Sequence, residues 1–386
     1  MEFDPYSREV DSDPFTVYRW MRDHSPCHWS EAGQCWAITR YQDIVDAAND
    51  TETFSSARGN MLDDIPGRTG VTLGTTDPPR HDRLRMLINN AFLIKSNEYL
   101  KQPVIDLANA ALDAVSGRDS FDFIRDFSSP VTVGALSYLL GIPEHEHRTI
   151  RDRVVKILQT DPATRKKPPE SMEAFQWLIG FALELIAERQ QNPGDDVISR
   201  LVTTEIDGEK LTPQEVQMTS ATFIMAGVES ASSFMTMLAL NLADHPDARW
   251  RVVNNPERIA DAMLESLRFN TSAQRFRRTV TKETKLHGRL MLPGQPVLLC
   301  FGSGNRDERK FVNPDDYDID RRPRLHLGFG MGKHRCIGTH VADILVVNAM
   351  RVFLARVPDY HQVRDTLEWM PSTTFRSPVA YEIAVT

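Results

Sequence analysis

The hydrophobic and polar positions divide the chain into three stretches. In the first, about residues 1–79, helical and strand periods alternate. Pro14 to Arg22 reads as a short helix. His28 to Ile38 reads as a hairpin, with aromatic and β-branched residues on either side of a Gly turn. Tyr41 to Ala48 is helical again. From Ser55 to Pro79 the pattern dissolves into Gly, Asp and Pro. So long a loop in a compact domain is more often functional than not.

From about Arg80 to Leu267 the apolar spacing is almost wholly helical. Breaks are expected at Pro130, Gly141-Ile142-Pro143, Pro162 to Pro169, Asn192-Pro193-Gly194 and Ile206-Asp207-Gly208. The longest segment opens with Thr212-Pro213-Gln214-Glu215, a capping box with Pro at the first helical position. No proline follows until Pro246, so roughly 30 residues, or about 45 Å, can form one helix. Met, Ala and Leu on most of its faces suit a helix buried through the centre of a domain. After Leu267 short strands return at Thr279 to Lys285 and Pro296 to Cys300. A loop then runs to Leu327, a last helix covers about Gly338 to Val357, and a strand-rich tail follows. With no repeat, linker or charge block, residues 1–386 read as one mainly α domain with a minor β portion.

Charge narrows the function. The 45 Lys and Arg against 53 Asp and Glu leave a formal charge of -8. An acidic total disfavours phosphate binding, so no nucleic-acid partner is expected. No run approaches 18 consecutive apolar residues, and the start has neither the basic nor the apolar segment of a secretory signal. No membrane association is expected. Four cysteines (Cys27, Cys35, Cys300, Cys336) are too few and too scattered for a disulfide framework. A reducing, cytoplasmic setting follows, and a single functional cysteine becomes worth seeking.

Cys336 stands out. In Phe329-Gly330-Met331-Gly332-Lys333-His334-Arg335-Cys336-Ile337-Gly338 the glycines let the backbone pass close to something bulky, and Gly338 keeps the sulfur's side open. A sulfur at the start of a helix is favoured as a thiolate, which is a metal ligand or a nucleophile. A buried structural cysteine is the bland alternative. Yet Phe-x-x-Gly-x-x-x-Cys-x-Gly arises by chance in roughly one such chain in a thousand at average residue frequencies.

This pattern resembles the cytochrome P-450 family, in which the Cys thiolate is the proximal ligand of heme iron. The resemblance spans essentially the whole chain. It implies a single-domain cytochrome P-450-like fold with heme b (iron protoporphyrin IX), Cys336 as metal ligand, and Phe329 and Gly338 beside the cofactor. Glu265-Ser266-Leu267-Arg268 resembles the family's structural Glu-x-x-Arg; alone it could be an ordinary helix ion pair. Ala226-Gly227-Val228-Glu229-Ser230 resembles the family's oxygen-activating segment. There Gly227 would loosen the helix for dioxygen, while Glu229 and Ser230 would relay protons. Ser230 stands where Thr is commoner; the plain alternative is a small-residue helix crossing.

His81, Arg85, Arg278 and His334 match the residues that pair with the heme propionates in the family, although each alone could be a solvated charge. The Asn305-Arg306-Asp307 turn also matches. Asp343 departs from the family, which usually has Arg there. Glu144-His145-Glu146-His147 suggests a metal site, but its residues do not share a helix face and read as solvated.

The resemblance implies a heme-thiolate monooxygenase that activates dioxygen with two electrons and hydroxylates or oxidatively dealkylates its substrate. The chain has no Gly-x-Gly-x-x-Gly, so a ferredoxin and its reductase are the expected donors. A peroxide-driven peroxygenase and a non-catalytic heme sensor are the rivals. By the same resemblance Leu73, Ala226, Ala273, Phe276, Thr374 and Phe375 line the substrate pocket, under a lid at 161–169. Their sizes suit a compact hydrophobic or aromatic molecule.

Overall fold

The computed structural model describes residues 1–65, 67–92 and 97–385. Position 66 of the long loop and positions 93–96 of the helical body lie outside them. Helices pack around Pro213–Asp244, one unbroken helix. It begins at the expected capping box: Thr212 Oγ1 accepts the Glu215 N–H at 3.2 Å, and Glu215 Oε2 accepts the Thr212 N–H at 2.9 Å. Glu215 also meets Arg80 and Arg83 at 3.2 Å, which fastens this end to the helix Arg80–Phe92. By length and hydropathy the central helix could cross a membrane, but most of it is buried inside the protein. Its neighbours are the helices Ser129–Leu140, Pro169–Gln191, Ile259–Phe269 and Thr339–Arg356.

Two apolar clusters share this helix. Ala221 to Val228 belong to one and Phe234 to Leu242 to the other. Between and beside them Phe223, Ala226, Gly227, Ser230 and Ala231 face a cavity.

A five-stranded sheet stands to one side: β1 (Cys27–Ser30), β2 (Cys35–Ile38), β3 (Phe54–Ser55), β4 (Phe276–Val280) and β5 (Pro296–Leu299), in the order β1-β2-β5-β4-β3. The early hairpin is as expected, with Trp29 opposite Trp36. Two expectations change. The strand read at Thr279 to Lys285 is two strands: β4 ends at Val280, and Thr284–Leu286 pairs with Arg289–Met291 across a turn at His287 and Gly288. Both turn residues have positive φ, as a tight hairpin connection requires. Pro130 breaks nothing, because it occupies the first turn of Ser129–Leu140, where its missing N–H has no partner to lose.

Among the described residues the most completely buried ion pair ties helix and loop together. Glu265 and Arg268 are both 0% exposed. Arg268 Nη2 and Nε donate to the two Glu265 oxygens at 2.6 and 3.0 Å, a bidentate pair. Arg268 Nη1 then donates to the carbonyls of Asn305 and Pro314 at 2.9 and 2.8 Å. Glu265 Oε1 accepts from the Asp318 N–H and from Arg321 Nε, both at 3.1 Å. The pair thus fixes the backbone of residues 305–318 against the helix Ile259–Phe269.

Arg268→Met leaves the Glu265 carboxylate buried beside only Arg321. A loss of about 3–5 kcal/mol is expected for such a broken pair. Urea unfolding measures it, and a loss under about 1 kcal/mol would show the pair to be dispensable.

Candidate functional site

The cysteine loop is held from both sides. Asn305 Oδ1 accepts the Leu327 N–H at 2.6 Å while its Nδ2 donates to the Leu267 carbonyl at 3.2 Å. One side chain thereby registers the loop on the Glu-x-x-Arg helix. Gly332 has φ +69°, and a Cβ there would lie 2.6 Å from the Ala48 carbonyl. Only glycine fits. The Cys336 N–H donates to the Phe329 carbonyl at 2.9 Å, and Thr339 Oγ1 donates to the Cys336 carbonyl at 3.0 Å.

Cys336 is the accessible cysteine, and its sulfur opens into an internal cavity of about 350 Å³. A Cβ on Gly338 would stand 3.8 Å from that sulfur. Burial pushes the Cys336 thiol up; the Gly338 N–H, Arg85, the Thr339 hydroxyl and Arg335 oppose this and favour the thiolate. Cys27, Cys35 and Cys300 are buried, and their thiols are pushed up to about 12, chiefly by desolvation. Those three are inert.

Beside the sulfur lies a group of nitrogen-bearing side chains with few acceptors. Arg278 is 4% exposed, and its Nη1 donates only to the Arg277 carbonyl at 2.8 Å. Burial lowers its guanidinium to about 10, with Asp77 opposing. His334 is lowered to about 3, first by burial and then by Arg278, His81 and Arg85. The His81 and His334 rings meet edge to face at 4.6 Å. His81 Nδ1 pairs with Asp82 Oδ1 at 3.0 Å. Among the described residues His81 Nε2 and both His334 nitrogens are buried without a hydrogen-bond partner.

Buried polar atoms are rarely left so. Three orphaned nitrogens and an unpaired guanidinium fit a ligand carrying two carboxylates, and heme b is such a ligand. Arg85, expected in the same group, also clamps the loop: its Nη1 donates to the carbonyls of Lys333 and Arg335 at 3.2 and 2.7 Å. Among the described residues no cluster of three or more His, Cys, Asp or Glu could hold a metal. His145 sits 3.6 Å from Glu146, whereas His147 bonds Ser137, so the acid–histidine run does not converge.

Across the cavity the central helix behaves differently from its expectation. It is not loosened at Gly227, where a Cβ would meet both Leu136 methyls at 2.9 Å. Gly227 therefore admits the helix Ser129–Leu140, the plain helix-crossing role. Ser230 lines the cavity, but its hydroxyl donates back to the Ala226 carbonyl. Glu229 turns from the cavity into the protein, where Arg151 and the Ser377 hydroxyl act on it. Burial raises its carboxyl to about 7 against these two.

Ala226, Ala273, Phe276 and Phe375 line the cavity as expected. A backbone bridge between Ala273 and Phe375 brings the tail in. Leu73 and Thr374 do not line it. Leu73 packs into the apolar core, and the Thr374 carbonyl is taken up by the N–H groups of Gln274 and Arg275 at 3.0 and 3.2 Å. Gly74 and Leu158 are at the wall instead, the latter just before the expected lid. The sequence reading missed Arg68, Phe92 and Phe223, which sit in no motif. Asp343 is half-buried, and desolvation raises its carboxyl with His340 and Arg335 opposing.

Two measurements test these electrostatics. Arg278→Met removes an unpaired buried charge, so the heme-stripped protein should unfold at higher urea, while heme transfer to a scavenger globin becomes at least tenfold faster. Unchanged transfer would exclude the carboxylate assignment. For Glu229, the folded carboxyl titrates near 7 and the unfolded one near 4.5, so its burden on stability grows as pH rises through that window. Glu229→Gln should leave stability unchanged at pH 4 and raise it by up to about 3 kcal/mol at pH 8. Equal effects at both pH values would contradict this.

Comparison with known proteins agrees with the geometry. Residues 34–365 match the family model of cytochrome P450. The chain is 31% identical to cytochrome P450 123 of Mycobacterium tuberculosis over 99% of its own length and 96% of that protein's. It is 30% identical to a steroid C26-monooxygenase of the same organism, covering 90% and 87%. The crystal structure of CYP109E1 from Bacillus megaterium in complex with testosterone superposes with a TM-score of 0.90 at 26% identity, covering 98% of this chain and 100% of that one. A heme-thiolate loop in this fold, matched along nearly its whole length, leaves one reading: the chain belongs to the cytochrome P450 family and is a heme b monooxygenase.

Proposed function

We propose that this monooxygenase oxidises a compact, largely hydrophobic or aromatic substrate held above Cys336, drawing electrons from a ferredoxin and its reductase. The carrying observation is the accessible Cys336 sulfur inside an apolar cavity flanked by the Arg278 guanidinium and, among the described residues, by imidazole nitrogens without partners. When bound, heme supplies dioxygen activation, which thiolate ligation favours. The chain's residues do the rest. Cys336 would hold the iron, with the Gly338 N–H and Arg85 stabilising its negative charge. Arg278, His81, His334 and Arg85 would fix the propionates and so the tilt of the ring, with Phe329 and Gly338 beside it.

Phe223, Phe276 and Phe375 would exclude water and set the substrate's plane. Ser230 would switch its hydroxyl from the Ala226 carbonyl toward the cavity to pass a proton. Glu229, with a carboxyl poised near neutrality, would resupply it through water from the Arg151 side. That pair favours dioxygen chemistry over a peroxide-driven route, which needs no such protons. A cytoplasmic location with soluble donors completes the proposal.

Cys336→His should abolish the long-wavelength Soret band of the reduced carbonyl complex that thiolate ligation gives. An unchanged spectrum would refute the ligand assignment. Ser230→Ala should leave substrate binding and the first electron transfer intact. More of the oxygen consumed should then appear as hydrogen peroxide. Unchanged coupling would make that hydroxyl structural.

A further inference from the structure

The cavity wall is apolar except at a few points, and one of them is a buried guanidinium. Arg68 and Asn60 both line the cavity from the 55–79 loop. The Arg68 side chain is 5% exposed. Its Nε donates to Asp64 Oδ1 at 3.1 Å and its Nη2 donates to Asn60 Oδ1. Among the described residues its Nη1 has no partner. A guanidinium carries five N–H donors in a fixed plane, so two bonds leave it undersatisfied.

Its surroundings differ from those of the propionate group. The charges acting on His334 are Arg278, His81 and Arg85. Those acting on Lys167 are Asp63, Arg68 and Asp64. Arg68 therefore belongs to the roof of the cavity, where the 159–168 connection lies, and Cys336 to its floor. The roof is latched there: Lys167 Nζ meets Asp63 Oδ2 at 3.2 Å, and Asp63 also accepts from Thr160 Oγ1 and, at 2.7 Å, from Thr373 Oγ1. These contacts hold Asp63 and Asp64, and so Arg68, in one place.

Charge decides what Arg68 can take. Arg68 and Lys167 are two cations; Asp63 and Asp64 are two anions. These four charges balance and each of the four side chains is at least nine-tenths buried, while the partly buried Arg277 guanidinium also interacts with Asp64. A carboxylate arriving at Arg68 would add an uncompensated charge to an enclosed site. An uncharged oxygen acceptor would satisfy the spare donor without that cost. We propose that Arg68, positioned by Asp64 and Asn60, selects substrates bearing a neutral carbonyl oxygen (ketone, ester, lactone or amide) at the end opposite the oxidised carbon. This rests on the cavity being the substrate site.

The test uses the heme-loaded protein and three probes with one skeleton: 4-phenylcyclohexanone, phenylcyclohexane and 4-phenylcyclohexanecarboxylate. Equilibrium dialysis gives the dissociation constants, and the heme spin shift reports occupancy above Cys336. The unaltered protein should bind the ketone about tenfold or more tighter than the hydrocarbon, and tighter than the carboxylate. Arg68→Met combined with Asp64→Asn keeps the cluster neutral. It should erase the ketone's advantage while leaving the hydrocarbon within about twofold. Arg68→Lys, which keeps the charge but loses the planar fork, should erase most of it too.

Equal binding of ketone and hydrocarbon, preference for the carboxylate, or an advantage that survives these variants would overturn the inference alone. Failure of all three probes to bind would overturn it together with the substrate-site reading. The ranking in the unaltered protein needs no variant to fold.

Discussion

The structure depends most on one buried pair. Glu265 and Arg268 are wholly removed from water, which is tolerable only because nearly every donor and acceptor is used: two bonds to each other, the rest to backbone and Arg321. A hydrophobic replacement could fill that volume but could not hold carbonyls. The pair converts a charge that must be neutralised into a set of fixed backbone positions at Asn305, Pro314 and Asp318. Asn305 passes the constraint on to Leu327, where the cysteine loop begins. Cys336 is thus located by a chain of directional bonds from a helix that meets the cavity at Leu267.

That rigidity permits the opposite arrangement next door. Arg278, His81 and His334 crowd together, and burial first, then the neighbouring charges, lowers His334. A buried guanidinium beside buried imidazole nitrogens without acceptors is a costly arrangement. A soft scaffold would relax by turning one of them to solvent. Here β4, the clamped loop and the helix Arg80–Phe92 hold them in an arrangement that fits the two carboxylates of heme. Arg85 also acts on Cys336, opposing the burial that raises its thiol.

How much of this was legible in the sequence follows from the range of each interaction. The capping box at Thr212, the hairpin at His28 to Ile38 and the glycine-spaced cysteine loop depend on neighbours within a few residues, so they could be read directly. Ala226, Ala273, Phe276 and Phe375 came from the family resemblance and do line the cavity. Leu73 and Thr374 did not, because a one-residue change of direction in irregular backbone exchanges cavity for core. Gly74 and Phe375 take those places. Arg68 was invisible for another reason. Its role depends on Asp63, Asp64 and Lys167, and Lys167 lies about a hundred residues away. The Gly227 reading failed on geometry: glycine can loosen a helix or admit a neighbour, and Leu136 at 2.9 Å decides for the neighbour.

The close contact at Gly227 also bears on how protons reach the cavity. A helix kept regular by packing leaves its carbonyls bonded, so the backbone offers the cavity little polarity. The Ser230 hydroxyl compounds this by turning back to Ala226, as serine does in an apolar helix without a better acceptor. A threonine would hold one rotamer more firmly; serine, lacking the methyl, can rotate with less hindrance. Glu229 lies one residue earlier, about 100° around the helix, so the two side chains face different surroundings. The proposed proton transfer between them would have to pass around the helix through water or Ser377. The buried Ser377 hydroxyl beside Glu229 is the side chain that would begin such a path.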